Sequence, residues 1–246
     1  MNGISVENQG RNRKNSSKRY IKGSVRIMKT YKAVVFDMDG VIFDSEKLVV
    51  ECWKVIADKY EIPNIEVACR ECLGLNRTAT REKMLKRYGA DFPYDEYKQE
   101  MSDLFHSRYD GGRLPMKPGV VELLTNLQEQ GILIALASST RREVVLAELR
   151  DAGILGFFNE VVCGDMVERS KPAPDIFLKA CELLQVEPES AFAIEDSYNG
   201  IRSAHSGGLR PIMVPDMAEP TEEMRELAEV ILGSLTDVWN YLESRD

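Results

Sequence analysis

The stretch Ala33-Val34-Val35-Phe36-Asp37-Met38-Asp39-Gly40-Val41-Ile42-Phe43-Asp44 decides how the rest of the chain is read. An apolar, β-branched run stops at two carboxylates two positions apart, with a glycine directly after. Side chains alternate along a strand, so Asp37 and Asp39 are expected on one side of a strand's carboxyl end. In an open parallel sheet, ligands bind beyond that end. Two carboxylates so close repel unless a cation, a proton or a positive partner offsets them. The expected solution is a divalent metal with oxygen ligands, one carboxylate attacking and the other moving protons.

Working outward, residues 45–108 contain no convincing strand. Leu48, Val49, Trp53 and Ile56 recur at helical spacing, and further helices are expected over about 65–73, 77–88 and 94–107. Asp110-Gly111-Gly112 punctuates the chain, and from Pro118-Gly119 onward helix and strand alternate. Strands are expected at 132–137, 161–163, 191–194 and 211–214, with helices between them and two helices at the end. This alternation implies an α/β fold: a Rossmann-like, doubly wound parallel sheet formed by residues 30–44 and 113–246. Residues 45–112 would then be a small all-helical domain inserted after the first strand, over the carboxyl edge of the sheet.

The chain has 246 residues, 43% of them apolar, enough for one large core and a small accessory domain. A formal charge of −8 argues against nucleic acid or an anionic membrane as partner. Residues 1–29 run against that average, with eight Lys or Arg and only Glu7 opposing them. They read as a disordered basic leader without the apolar run of a secretion signal, and Met28 is an alternative start. No stretch is long and apolar enough to cross a bilayer. Cys52, Cys69, Cys72, Cys163 and Cys181 are scattered and odd in number, so no disulfide framework is expected and a reduced cytoplasm fits. Cys69 and Cys72 form a C-x-x-C pair without a second pair or a nearby His, and read as ordinary helix cysteines. His106 and His205 lack partner motifs and read as surface residues. No nucleotide-binding Gly-Lys-Ser/Thr loop or Gly-x-Ser-x-Gly elbow occurs.

Four short signals fall on one sheet edge. They are Asp37-Met38-Asp39-Gly40, Ala137-Ser138-Ser139-Thr140, Ser170-Lys171-Pro172-Ala173-Pro174-Asp175, and Ile194-Glu195-Asp196-Ser197-Tyr198-Asn199-Gly200. The second ends a strand in hydroxyls and backbone N–H groups suited to phosphate oxygens. In the third, prolines stiffen a loop that offers the compact charge of Lys171. In this order the four motifs resemble the haloacid dehalogenase superfamily, in its phosphatase and phosphomutase branch with a helical cap, over about residues 31–240. The dehalogenases use a single aspartate, so Asp39 argues for phosphoryl transfer.

The resemblance implies a role for each residue. Asp37 matches the nucleophile that becomes an aspartyl phosphate, and Asp39 the general acid/base whose backbone carbonyl also ligates Mg²⁺. Asp196 matches a direct metal ligand and Glu195 a second acidic ligand. Ser138, Ser139 and Lys171 match the groups that hold the phosphoryl, and Lys171 is expected to keep Asp37 ionised.

Specificity is expected from the cap. Gly74-Leu75-Asn76-Arg77 resembles the segment where related sugar-phosphate enzymes place an arginine on the substrate, and Trp53 is a further pocket candidate. β-Phosphoglucomutase carries a histidine on its first cap helix, whereas Asp44-Ser45-Glu46-Lys47-Leu48-Val49 has none. Thr140-Arg141-Arg142 likewise replaces the mutase's Ser-Lys-Asn-like run. The expected activity is therefore a Mg²⁺-dependent phosphomonoesterase acting on a small phosphorylated metabolite, most simply a sugar phosphate, as a monomer or weak dimer. An intramolecular phosphomutase is the alternative, and a catalytically silent binding or regulatory protein the remote one.

Overall fold

The computed structural model describes residues 29–72, 75 and 77–245. The basic leader through Met28, and Gly74 and Asn76 ahead of Arg77, lie outside the described residues.

The Val/Phe run forms strand β1, Ala33–Phe36, every residue of which is buried. Four helices follow before the next strand: α1 (Ser45–Lys59), α2 (Ile65–Arg70), α3 (Arg77–Tyr88) and α4 (Tyr94–Tyr109). Then come α5 (Val120–Glu129), β2 (Leu133–Ser138), α6 (Arg142–Asp151), β3 (Glu160–Cys163) and α7 (Asp175–Leu184). The chain closes with β4 (Ala191–Glu195), α8 (Tyr198–Ser206), β5 (Arg210–Met213), α9 (Glu222–Leu227), β6 (Val230–Ile231) and α10 (Leu235–Glu243).

The six strands form one parallel sheet in the order β3-β2-β1-β4-β5-β6. Because parallel neighbours need crossovers, helices cover both faces and the strands are mostly apolar, with Ser138, Glu160, Glu195 and Arg210 at strand ends. Strand alternation divides the core in two. Val34, Phe36, Ile134, Leu136, Phe192 and Ile194 face a layer that includes Leu123 and Leu127 of α5 and Val238 and Leu242 of α10. Ala33, Val35, Ala135, Ala137 and Ala193 face Phe177, Ala180 and Cys181 of α7.

The order reverses direction between β1 and β4, the topological switch point at which open α/β sheets form a crevice. The chain leaves and re-enters the core through two paired segments there. Asp44 N–H donates to the Pro115 carbonyl (2.9 Å), and Lys117 N–H to that of Ile42 (2.8 Å). Within the helical segment, Trp53 meets Tyr97 edge-on at 5.5 Å, with Tyr60 and Phe92 packed on the same tyrosine.

The expected strands lie within one residue of those observed. Two elements differ. The helix expected over 65–73 ends at Arg70, with Glu71 and Cys72 in a turn. The C-terminal helices are separated by β6, whose two residues pair only with β5. A two-residue edge strand is too short to show an alternating pattern. All five cysteines are free and buried, and burial pushes the Cys69 and Cys72 thiols up to about 12 and about 11, so both stay protonated near neutrality. Among the described residues, no helix is long and apolar enough to cross a membrane.

Candidate active site

Sheet register assembles the site. Phe36 is level with Ile194 on one side and Leu136 on the other, and Asp37 N–H donates to the Ile194 carbonyl (2.9 Å). The carboxyl ends of β1, β2 and β4 therefore share one edge: Asp37 just past β1, Ser138 ending β2, Glu195 ending β4 and Asp196 just past it. Lys171 enters from the loop before α7 with its side chain only 2% exposed. Its ammonium donates to Asp37 Oδ1 (2.5 Å), Glu195 Oε1 (2.6 Å) and the Ala137 carbonyl (3.0 Å).

The second oxygen of Glu195 accepts from the backbone N–H groups of Asp196 and Ser197 and from the Ser197 hydroxyl, at 3.0–3.1 Å. Both oxygens of Glu195 are thus taken up in holding Lys171 and the loop. Gly200 on α8 permits this, because a Cβ there would fall 1.8 Å from the Glu195 carboxyl carbon.

Carboxylates outnumber the one ammonium. Burial pushes Asp37 up to about 8; Lys171 works against that shift, while Glu195 and Asp39 add to it. Lys171 itself would be lowered by burial, but Asp37 and Glu195 raise it above its ordinary value. Lys171 thus favours the ionised form of Asp37 but does not act alone on it. Desolvation and two neighbouring acids outweigh one positive charge, and further cationic charge is needed. Ligand oxygens of Asp37, Glu195 and Asp196 lie within 4.8 Å of one another. With Mg–O distances of about 2.1 Å, opposite ligands of an octahedral site lie about 4 Å apart, so this hard-oxygen set fits Mg²⁺. Gly40 shapes the same cradle: it has φ +81°, and a Cβ there would lie 2.2 Å from Asp196 Oδ2.

Asp39 is held apart from Lys171 by two hydroxyls, neither of which the sequence reading assigned to it. Ser45, in the first turn of α1, donates to Asp39 Oδ1 (2.6 Å), and Thr140, past β2, donates to Oδ2 (3.4 Å). Burial raises the Asp39 carboxyl, and the two hydroxyls oppose that shift. A carboxyl with a raised pKa between fixed donors can give and take a proton. Glu46 is also new. It is buried against Asp196 and pushed up to about 8, mainly by burial, and it shares a second acidic cluster with Asp196 and Asp216. Its only sequence signal is its place beside Ser45 at a helix start.

Above these groups is a cavity of about 530 Å³ between the sheet edge and α1–α4. Asp37, Asp39, Ser139, Thr140, Lys171 and Asp196 form its floor, and Trp53, Arg77, Tyr94 and Lys98 line it from the helices. Ser138 is fully buried beside the floor, where its oxygen accepts the Thr140 N–H (3.1 Å) and its proton remains to be donated. Arg77 is largely exposed, and its guanidinium faces Asp95 at 3.5 Å. Trp53 is buried. His106 also lines the cavity, bonded to Asp110 at 2.8 Å, and His205 contacts the Leu227 carbonyl.

The chain is similar to proteins already known. The family profile of haloacid dehalogenase-like hydrolases matches residues 34–214. A β-phosphoglucomutase of Bacillus subtilis is 30% identical over 231 residues, covering 87% of this chain and 98% of its own. A phosphorylated carbohydrates phosphatase of Thermotoga maritima is 32% identical over 181 residues, 74% of this chain and 83% of its own. The crystal structure of CbbY from Rhodobacter sphaeroides in complex with phosphate superposes with a TM-score of 0.70 at 28% identity. It covers 85% of this chain and 96% of that one.

Proposed function

The chain belongs to the haloacid dehalogenase-like hydrolase family, and from that membership we propose that it is a Mg²⁺-dependent phosphomonoesterase acting on a small phosphorylated metabolite of the sugar-phosphate kind. One observation carries the reading. Asp37 is bridged by Lys171 to Glu195, while Asp39, two residues on, is held separately by Ser45 and Thr140. The two aspartates thus have different surroundings and can take different roles.

Asp37 attacks phosphorus and the bond to the leaving oxygen breaks, with Asp39 supplying the proton that makes it an alcohol. Asp39 then accepts a proton from water as that water attacks the aspartyl phosphate, which releases phosphate and restores both carboxyls. Lys171, the Ser138 hydroxyl and the Ser139 backbone hold the phosphoryl oxygens. Glu195 fixes Lys171 and the Asp196 loop, besides any contact it makes with a cation. Bound Mg²⁺, held by Asp37, Asp196 and the Asp39 carbonyl, would offset the negative charge that carboxylates and phosphate bring together. We assign residues 30–44 and 113–246 to the catalytic core and 45–112 to a cap. Five unbridged cysteines suit the cytoplasm.

The test is phosphate release from p-nitrophenyl phosphate and a panel of sugar phosphates, with Mg²⁺ or with EDTA. Asp37→Asn is expected to lower turnover by at least about a thousandfold with the fold intact. Substantial residual rate would reject the covalent route.

The mutase relative supports a second reading, phosphoryl return to the substrate. Against it, Ser45, Glu46 and Val49 line the cavity from a stretch of α1 without histidine. β-Glucose 1-phosphate with a trace of glucose 1,6-bisphosphate separates the two. Free phosphate means hydrolysis, and glucose 6-phosphate means the mutase.

A further inference from the structure

Helix α6 turns one stripe of residues to the cavity. Arg141 at its start, Val144 and Glu148 line the cavity, whereas Val145 and Leu149 are buried in the core. Glu148 is half-buried and has no hydrogen bond or ion pair among the described residues, so its carboxyl oxygens stay open to the cavity. The charges that act on it are both negative: Asp39 on the floor and Asp110 at the end of α4. Burial, helped by these two acids, pushes Glu148 up to about 8.

The acids around Glu148 are each partnered. Asp39 takes the Ser45 and Thr140 hydroxyls, Asp110 the His106 ring at 2.8 Å, and Asp103, also on the wall, the Gln99 amide at 2.8 Å. Arg141 lies two turns away, about 10 Å along the helix axis, and makes no ion pair with Glu148. Glu148 belongs to neither acidic cluster that could hold a metal ion among the described residues. One carboxyl is too few ligands for a metal, but it is a full counter-charge for one ammonium.

We propose that Glu148 is a specificity-determining residue that receives an ammonium group of the substrate, so that the preferred substrates are phosphorylated amino sugars. The inference rests on the proposed function only in placing the reacting phosphate at Asp37. An ammonium gives Glu148 the positive partner it lacks and a charge-assisted hydrogen bond. A sugar hydroxyl in the same place offers only a neutral donor and leaves the surrounding negative charge unanswered.

Equilibrium binding by calorimetry at about pH 6.5, where a sugar amine is protonated, tests this without turnover. The full chain carries Asp37→Asn, and Mg²⁺ is present. The probes are matched pairs in which an amine replaces one hydroxyl: glucosamine 6-phosphate and 3-amino-3-deoxyglucose 6-phosphate against glucose 6-phosphate, and glucosamine 1-phosphate against glucose 1-phosphate. They set the amine at different distances from the phosphate. At least one amine should bind at least about fivefold more tightly than its hydroxyl partner. Adding Glu148→Gln should cut that ratio at least about threefold, with circular dichroism checking that the variant folds. A smaller preference in every pair overturns the assignment, and so does a preference that survives Glu148→Gln, since another acid would then hold the amine. Amine preference without any phosphate release by the unmutated chain would refute the hydrolase instead, and phosphate release without amine preference would refute only the role of Glu148.

Discussion

Replacing Lys171 by Met removes the charge that two buried acids share while keeping most of the side chain's bulk. Three hydrogen bonds go at once, to Asp37, Glu195 and the Ala137 carbonyl, in a place where the lysine side chain is 2% exposed. Breaking a buried ion pair from one side costs about 3–5 kcal/mol, because the remaining charge is stranded. Asp37, already pushed up to about 8, can escape by keeping its proton. Glu195 keeps its three loop donors but loses its counter-charge. At about 2–4 °C per kcal/mol for a chain of this size, the melting temperature should fall by about 6–20 °C. Calorimetry on EDTA-treated protein is the assay, so that no metal ion substitutes for the lysine. Adding Glu195→Gln should restore more than half of the loss, since a neutral amide needs no counter-charge. A fall of less than about 2 °C, or a further fall in the double variant, would refute the shared-charge account.

Gly200→Ala should be destabilising despite alanine's helix propensity, by about 3 kcal/mol in urea unfolding, since the new Cβ would overlap a carboxyl fixed by four donors; a neutral result would mean the carboxyl moves freely. Glu148, on the cavity wall, is pushed up to about 8, chiefly by burial. An acid raised from 4.5 in the unfolded chain favours the fold below that pH and loses its contribution as pH climbs towards 8. Thermal melts should therefore show Glu148→Gln gaining on the parent between pH 5 and 9, and a constant difference would exclude Glu148 as the cause. Mg²⁺ at about 100 times its dissociation constant should stabilise the chain by about 2.7 kcal/mol, a gain that Asp196→Asn should largely abolish in the same melts.

The fold was legible in the chain because its signals are local. Val34, Val35 and Phe36 read as buried strand, Leu123, Leu124 and Leu127 as one helix face, and the alternation of such units leaves few arrangements besides a parallel sheet. Strand β6 escaped because Val230 and Ile231 are held by β5, not by any pattern of their own. At the site, Asp37 and Asp196 stood out because each follows the end of a strand, and Lys171 because prolines stiffen its loop ahead of α7. The neighbours that tune them did not stand out. Thr140 reads from the sequence as a phosphate-binding hydroxyl, and that it instead reaches Asp39 across 101 positions follows from the pairing of β1 with β2.

Residue type and order alone determined that acids, hydroxyls and one lysine would meet at the carboxyl edge of a sheet, since strand ends in a parallel sheet all point one way. Only the folded chain decided how charge is shared there, because desolvation and spacing are properties of the packed interior. They leave Asp37 raised in spite of Lys171 and commit Glu195 to the lysine.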